Sequence, residues 1–306
     1  MNQVTNPALL EGRGFGLPKL ALCEKIRKVA MKFLDKNWTV LILLALVIFA
    51  VFGRTIWFDY VQLDEGVLLV NNRFFISDIS NFFEVFKHDI NYPSNVAPYY
   101  RPMFILSFML NSQFGSSPMA YHMGGILLHI VAAYFVFLLF LELGYKRGVS
   151  VFSSLIFAVH PAVTPVVTWV PGRIEAILVI FTALSFILFI RFLKTGSRRY
   201  LPGLFVSFVA ALLTKEVAVG LIPVFAFYYL MFRKEKGSES VATLSFGLGA
   251  ILTVWFWVRE GVINSARVTE LSFLQILATL WSNSIAAILY LGKAILPFNL
   301  TVLPIL

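Results

Sequence analysis

Long apolar runs separated by short polar stretches dominate this chain, and their lengths predict helices rather than strands. A bilayer core about 30 Å thick needs about 20 mostly apolar helical residues. Runs approaching that length extend from Trp38 to Trp57, Tyr121 to Leu143, Val149 to Val170, Ile174 to Phe192, Leu201 to Thr214, Val217 to Phe232, Val241 to Val258 and Leu271 to Leu296. The pattern therefore predicts an all-α polytopic membrane bundle of about seven or eight transmembrane helices. His160-Pro161 and Pro165 interrupt the third run, so its helix is expected to end near His160 and to be followed by a re-entrant or interfacial turn. Leu201 to Thr214 is short for a crossing, and the last run fits either a span or a helix along the membrane. Between the first two runs lies a long loop, residues 58–120, in which Met103 to Leu110 has the pattern of an interfacial helix.

Composition agrees. Hydrophobic residues make up 59% and charged residues 13% of the 306, with a mean hydropathy of +0.82, against roughly 45–50% and 25% in soluble domains. The single cysteine, Cys23, supports no disulfide framework, and the N-terminal residues lack the pattern of a cleaved leader. Basic residues set an orientation. With the N-terminus cytoplasmic, the inner regions (residues 1–38, Lys146-Arg147, Arg191 to Arg199, Arg233 to Lys236) hold sixteen of twenty-five Lys and Arg, and ten of sixteen acids fall outside. Residues 1–37 then form a basic cytoplasmic segment and 38–306 the transmembrane domain. The net charge of +9 follows from topology and anionic lipid and does not require nucleic acid.

In that topology the unusual polar groups converge on the non-cytoplasmic face: Asp59, Asp64-Glu65, Tyr100-Arg101-Pro102, His122, His160, Gly172-Arg173-Ile174-Glu175 and Lys215-Glu216. Carboxylates and cations close to lipid suit an enzyme that grips a phosphate headgroup with Arg or Lys and activates a hydroxyl with a carboxylate. The bland counterparts are solvated loop charges at Asp64-Glu65, a snorkelling Arg101 and a neighbouring ion pair at Lys215-Glu216. No cluster has a tight metal-ligand spacing, so no metal is assigned.

Five segments carry a resemblance: Leu63-Asp64-Glu65-Gly66 with the following Val-Leu-Leu-Val-Asn-Asn, Tyr99-Tyr100-Arg101-Pro102-Met103, the Tyr121 to His129 stretch, His160 to Pro165 with Gly172 to Glu175, and Leu212 to Val219. In that order the chain resembles the membrane part of the transmembrane and tetratricopeptide-repeat O-mannosyltransferases and their bacterial relatives, in the GT-C glycosyltransferase superfamily. The resemblance implies a helical bundle whose first outer loop carries the acidic motif and whose donor substrate is a polyprenyl-phosphate sugar, with no cofactor. Asp64 or Glu65 would take the acceptor proton, Arg101, Arg173 and Lys215 would bind the lipid phosphate, and His160, Glu175 and Glu216 would shape the same cavity. Partners would be membrane lipids and a protein or glycan acceptor, in a bacterial inner membrane.

The chain departs from that pattern at Pro165, where family members commonly carry an acid, at Gly125 (Asn) and at Glu175 (Asp). A second reading is therefore a non-catalytic GT-C-derived subunit packed among other membrane subunits, and a third is a polyprenyl-lipid binder or flippase accessory. His122 and His129, nearly two turns apart on one helix face, pose the separate question of a haem or pigment ligand.

Overall fold

The computed structural model describes residues 36–61, 63–92, 99–232 and 238–263, with scattered positions between 272 and 292. The basic segment up to Asp35, Cys23, Arg233 to Lys236 and most of the Leu271 to Leu296 run lie outside the described residues. The chain divides into two units, Met1–Ile42 and Leu43–Leu306. In the first, the described residues are the opening of helix α1 (Asn37–Phe52), which continues in the second through a 3₁₀ turn, Gly53–Trp57.

The remaining α-helices are α2 (Arg73–Ser77), α3 (Pro102–Ser112), α4 (Pro118–Glu142), α5 (Arg147–Val159), α6 (Thr164–Thr168), α7 (Arg173–Thr195), α8 (Leu201–Thr214), α9 (Leu221–Phe232) and α10 (Ser238–Ile263). Their ends follow local chemistry. Ser117 caps α4 by accepting from the Ala120 N–H at 3.2 Å, with Pro118 at the first helical position. Gly196 ends α7 in the left-handed region, at φ 67°, where a side chain would be strained. Pro161, two residues past Val159, stops α5, and the chain bends by 52° into the Pro161–Thr168 segment, as the proline pattern predicts.

Four helices among the described residues are long and apolar enough to cross a membrane: Asn37–Trp57, Pro118–Glu142, Val170–Thr195 and Ala242–Ile263. The bent pair Arg147–Val159 and Pro161–Thr168 makes a fifth if it forms one span. Of the eight apolar runs, Leu271 to Leu296 lies mostly outside the described residues, and two others form shorter helices. The Leu201 to Thr214 run is a 14-residue helix, about 21 Å at 1.5 Å per residue. The Val217 to Phe232 run opens as a 3₁₀ turn, Glu216–Gly220, before α9 begins.

α4 packs against α5 and α7, α7 against α8, and α10 against α8. A shared apolar core includes Phe189, Ile190, Leu204, Phe208, Leu212 and Phe225. Gly247 of α10 admits the Phe205 ring of α8, because a Cβ there would lie 2.8 Å from Cε1. Ser185 and Ser207 share a buried 2.8 Å hydrogen bond between α7 and α8, a contact worth about 0.6 kcal/mol in a membrane interior.

The long loop has a core of its own. Leu68, Leu69, Ile76, Val85 and α3 residues Phe104, Ile105, Leu106, Phe108 and Met109 bury together with Tyr121, Val170 and Ile174. α3 is the strut of this layer, burying Phe104, Ile105, Leu106, Phe108 and Met109 on one broad side while Leu110 stays exposed.

Candidate functional site

The start of α4, Trp169 and Val170 after α6, the start of α7 and the α8 helix meet this loop layer, which gathers most of the predicted polar residues there. Two groupings form there.

The first is a pair of ion pairs on consecutive residues. α8 ends at Thr214, leaving Lys215 extended and Glu216 at the head of a 3₁₀ turn. Arg101, just before α3, grips Glu216 with both arms of its guanidinium, Nε to Oε2 at 3.1 Å and Nη2 to Oε1 at 2.5 Å. Lys215 Nζ pairs with the Glu175 carboxylate in the first turn of α7. Burial pulls the Glu216 carboxyl upward, but the Arg101 hydrogen bonds outweigh it and hold the group below the usual glutamate range. Tyr100 and Leu213, close along the chain to these cations, line an apolar groove of about 410 Å³ with Phe86, Ile251, Val254 and Trp255. Arg101, Glu175, Lys215 and Glu216 are therefore brought together as two ion pairs.

The second grouping surrounds Arg173. Its guanidinium is fully buried against the rings of Phe108 and Tyr121, at 4.8 and 5.6 Å from their centroids. Nη1 donates to Asn111 Oδ1 at 3.1 Å and Nη2 to the Tyr121 carbonyl, while Nε has no partner among the described residues. Gly124 makes the approach possible, since a Cβ there would collide with Asn111 Oδ1 and sit 3.4 Å from Arg173 Nη2. Arg173 thus ties α3, α4 and α7 together.

Asp64 and Glu65 part company. Asp64 is exposed, while Glu65 is buried beside the Trp169 indole, with Oε2 unpaired among the described residues. Burial holds the Glu65 carboxyl above the usual glutamate range. Tyr60 senses Asp59, Glu65, Tyr121 and Arg173, and burial with the neighbouring acids pushes its phenol up to about 12. Tyr60, Asn111, Tyr121 and Trp169 are site residues that sequence reasoning missed. Each resembles an ordinary interfacial or core residue until the loop layer folds onto α4.

His160 stands apart from the ion pairs. Its Nδ1 accepts from the Ala162 N–H at 3.2 Å, and it lines a different cavity of about 420 Å³ with Val136, Phe140, Ser153, Ile156, Phe157 and Val163. His122 and His129 are both buried on α4. His129 Nε2 donates to the Ala158 carbonyl at 2.9 Å, capping the end of α5, whereas the His122 ring lies beside the backbone of Asp59 and Val167. No group of three or more His, Cys, Asp or Glu among the described residues is arranged to hold a metal ion.

An all-helical, multi-pass membrane protein with paired carboxylates and cations at one end of its helices is the class these features define. Residues 101–258 match the family described as dolichyl-phosphate-mannose-protein mannosyltransferase, and the chain belongs to that family. The matched segment contains Arg101, Arg173, Glu175, Lys215 and Glu216. The chain is also similar to Protein O-mannosyl-transferase Tmtc1 of Drosophila melanogaster, 33% identical over 121 residues, 39% of this chain and 14% of that one. Human Protein O-mannosyl-transferase TMTC3 is 39% identical over 93 residues, 30% of this chain and 10% of the relative. Mouse Protein O-mannosyl-transferase TMTC4 is 31% identical over 167 residues, 48% and 22% respectively. The matched stretches thus span less than a quarter of each of these eukaryotic relatives. No solved structure matches the chain.

Proposed function

We propose that this chain is the membrane-embedded part of a glycosyltransferase that moves a sugar from a polyprenyl-phosphate carrier to a hydroxyl of a protein or glycan acceptor. The relatives' names make mannose the sugar to test first. The observation that carries the proposal is an apolar groove whose lining residues Tyr100 and Leu213 are close along the chain to Arg101 and Lys215: the first isoprene units of the carrier would lie in the groove and its phosphate would meet the cations. The carrier lipid is a substrate, and the face concerned is the periplasmic or luminal one, with the basic N-terminus cytoplasmic.

In this reading Asp64 is the proton acceptor, because it is the exposed member of the acidic pair. The acceptor hydroxyl oxygen attacks the anomeric carbon, and the bond from that carbon to the phosphate oxygen breaks. The electron pair leaves with the lipid phosphate, and the hydroxyl proton passes to the Asp64 carboxylate. Glu65, buried against Trp169, positions the motif rather than touching the acceptor. Arg173 orders the layer that presents both.

The test is transfer from a polyprenyl-phosphate mannose to a hydroxyl acceptor by the protein purified in mild detergent, alongside mass spectrometry of everything that copurifies. Loss of transfer in Asp64→Asn, with carrier lipid still bound, is the expected result. Transfer that survives Asp64→Asn removes this assignment. A constant set of protein partners with no carrier lipid and no transfer would instead establish the non-catalytic subunit.

A further inference from the structure

Arg101 and Lys215, close along the chain to the groove residues Tyr100 and Leu213, are not idle. Arg101 is held by both oxygens of Glu216, and Lys215 is held by Glu175. Two positive and two negative groups therefore meet on neighbouring residues with no net charge to attract an anion. A guanidinium fork matches a carboxylate and a phosphate with the same geometry, so the two cannot occupy it together. Arg173 offers no substitute seat, since it is enclosed by Phe108 and Tyr121 and its Nη atoms serve Asn111 and Tyr121.

We propose that Glu216 and Glu175 are competing occupants of the phosphate seat, which a phosphate headgroup must displace, and that they thereby set the specificity of the groove. The proposal rests on the lipid-phosphate reading above and deepens it. A ligand that brings only an anion has to break the ion pairs unaided. A ligand that also fills the groove gains burial against Phe86, Ile251, Val254 and Trp255, which offsets the exchange. Anionic phospholipids, with two acyl chains, would fill a groove of about 410 Å³ less well and so would not offset the loss of the ion pairs.

The position of the pairs makes displacement feasible. The side chains of Glu216 and Glu175 are 36% and 42% exposed, against 14% and 24% for Arg101 and Lys215. The acids can therefore swing into water while the more buried cations stay in place. Glu216 opens the five-residue 3₁₀ turn joining α8 to α9, so its release occurs at a short connection and leaves the packed helices in place.

The experiment measures binding of geranylgeranyl phosphate, geranylgeraniol, inorganic phosphate and phosphatidylglycerol to the purified full chain by native mass spectrometry and by competition in detergent. Glu216→Gln and Glu175→Gln are each expected to tighten geranylgeranyl phosphate about fivefold, the range of one screened ion pair. The same variants should raise retention of phosphatidylglycerol and leave the alcohol unchanged, while Arg101→Gln weakens the phosphate ligand. If the alcohol and the phosphate bind alike in every variant, both the seat and the lipid-phosphate reading fall. If Arg101→Gln weakens the phosphate but neither glutamine variant tightens it, the competition is overturned and the donor reading stands. Displacement of geranylgeranyl phosphate by equal inorganic phosphate would keep the competition but assign the seat to free phosphate. Two independent glutamine variants keep the test valid if one fails to fold.

Discussion

Gly124→Ala adds one methyl group at the crossing of α3 and α4. The new Cβ would collide with Asn111 Oδ1, approach Asn111 Cγ to 3.0 Å and lie 3.4 Å from Arg173 Nη2. Two responses are open. Asn111 can stay, in which case overpacking costs about 1–3 kcal/mol. Or Asn111 can turn away, in which case Arg173 Nη1 loses its 3.1 Å acceptor inside a buried site, a charge-assisted hydrogen bond worth about 1.5–3 kcal/mol. Against either stands the helix-propensity gain of Ala over Gly, about 0.5–1 kcal/mol. The net is a loss of about 1–2 kcal/mol, which lowers Tm by roughly 3–6 °C at the scaling of large domains. Thermal unfolding in detergent, followed by tryptophan fluorescence, reads it. Gly249→Ala on α10 is the control, because nothing lies within 4 Å of the point where its Cβ would stand; it should leave Tm unchanged or raised. A Gly124→Ala protein that melts with or above the wild type would refute the claim that Arg173, Asn111 and this glycine form one tight joint.

Two further predictions use the buried titratable groups. Burial raises the Glu65 carboxyl, so the folded state prefers it protonated; the stability this gives is present below the ordinary value of 4.5 and is lost as pH rises through the higher folded value. The melting temperature of Glu65→Gln relative to wild type should therefore climb across that window and level off above it, and a difference independent of pH would show that Glu65 is not held in a desolvated site. His129→Phe removes the donor to the Ala158 carbonyl at the end of α5 and should cost about 1–3 kcal/mol; faster proteolysis at the His160-Pro161 bend is the expected signature, and unchanged cleavage and melting would show that the cap is dispensable.

Class and inventory are written in the order of the residues. Apolar runs cannot bury their backbone in lipid except as helices, so the spans at Asn37–Trp57, Pro118–Glu142 and Val170–Thr195 are readable from composition alone. Pro161 announces the break after α5 because a proline ring cannot continue the helix, and the charged residues at 101, 175 and 215–216 are legible because charge is costly near lipid. Their partners are a different matter. That Arg101 takes Glu216 across 115 positions of sequence, and Lys215 takes Glu175 across 40, depends on how α3, α7 and α8 meet, which no local pattern encodes. The same holds for the acidic pair. Asp64 and Glu65 are near-equivalent as letters, yet the folding of the loop layer against Trp169 buries one and leaves the other in solvent. That α3 lays its broad apolar side against Leu68, Ile76 and Val85 is likewise decided by how the loop folds back on it. Hydrophobicity fixes which residues leave water; which of them meet is set by packing, and that is a property of the whole chain.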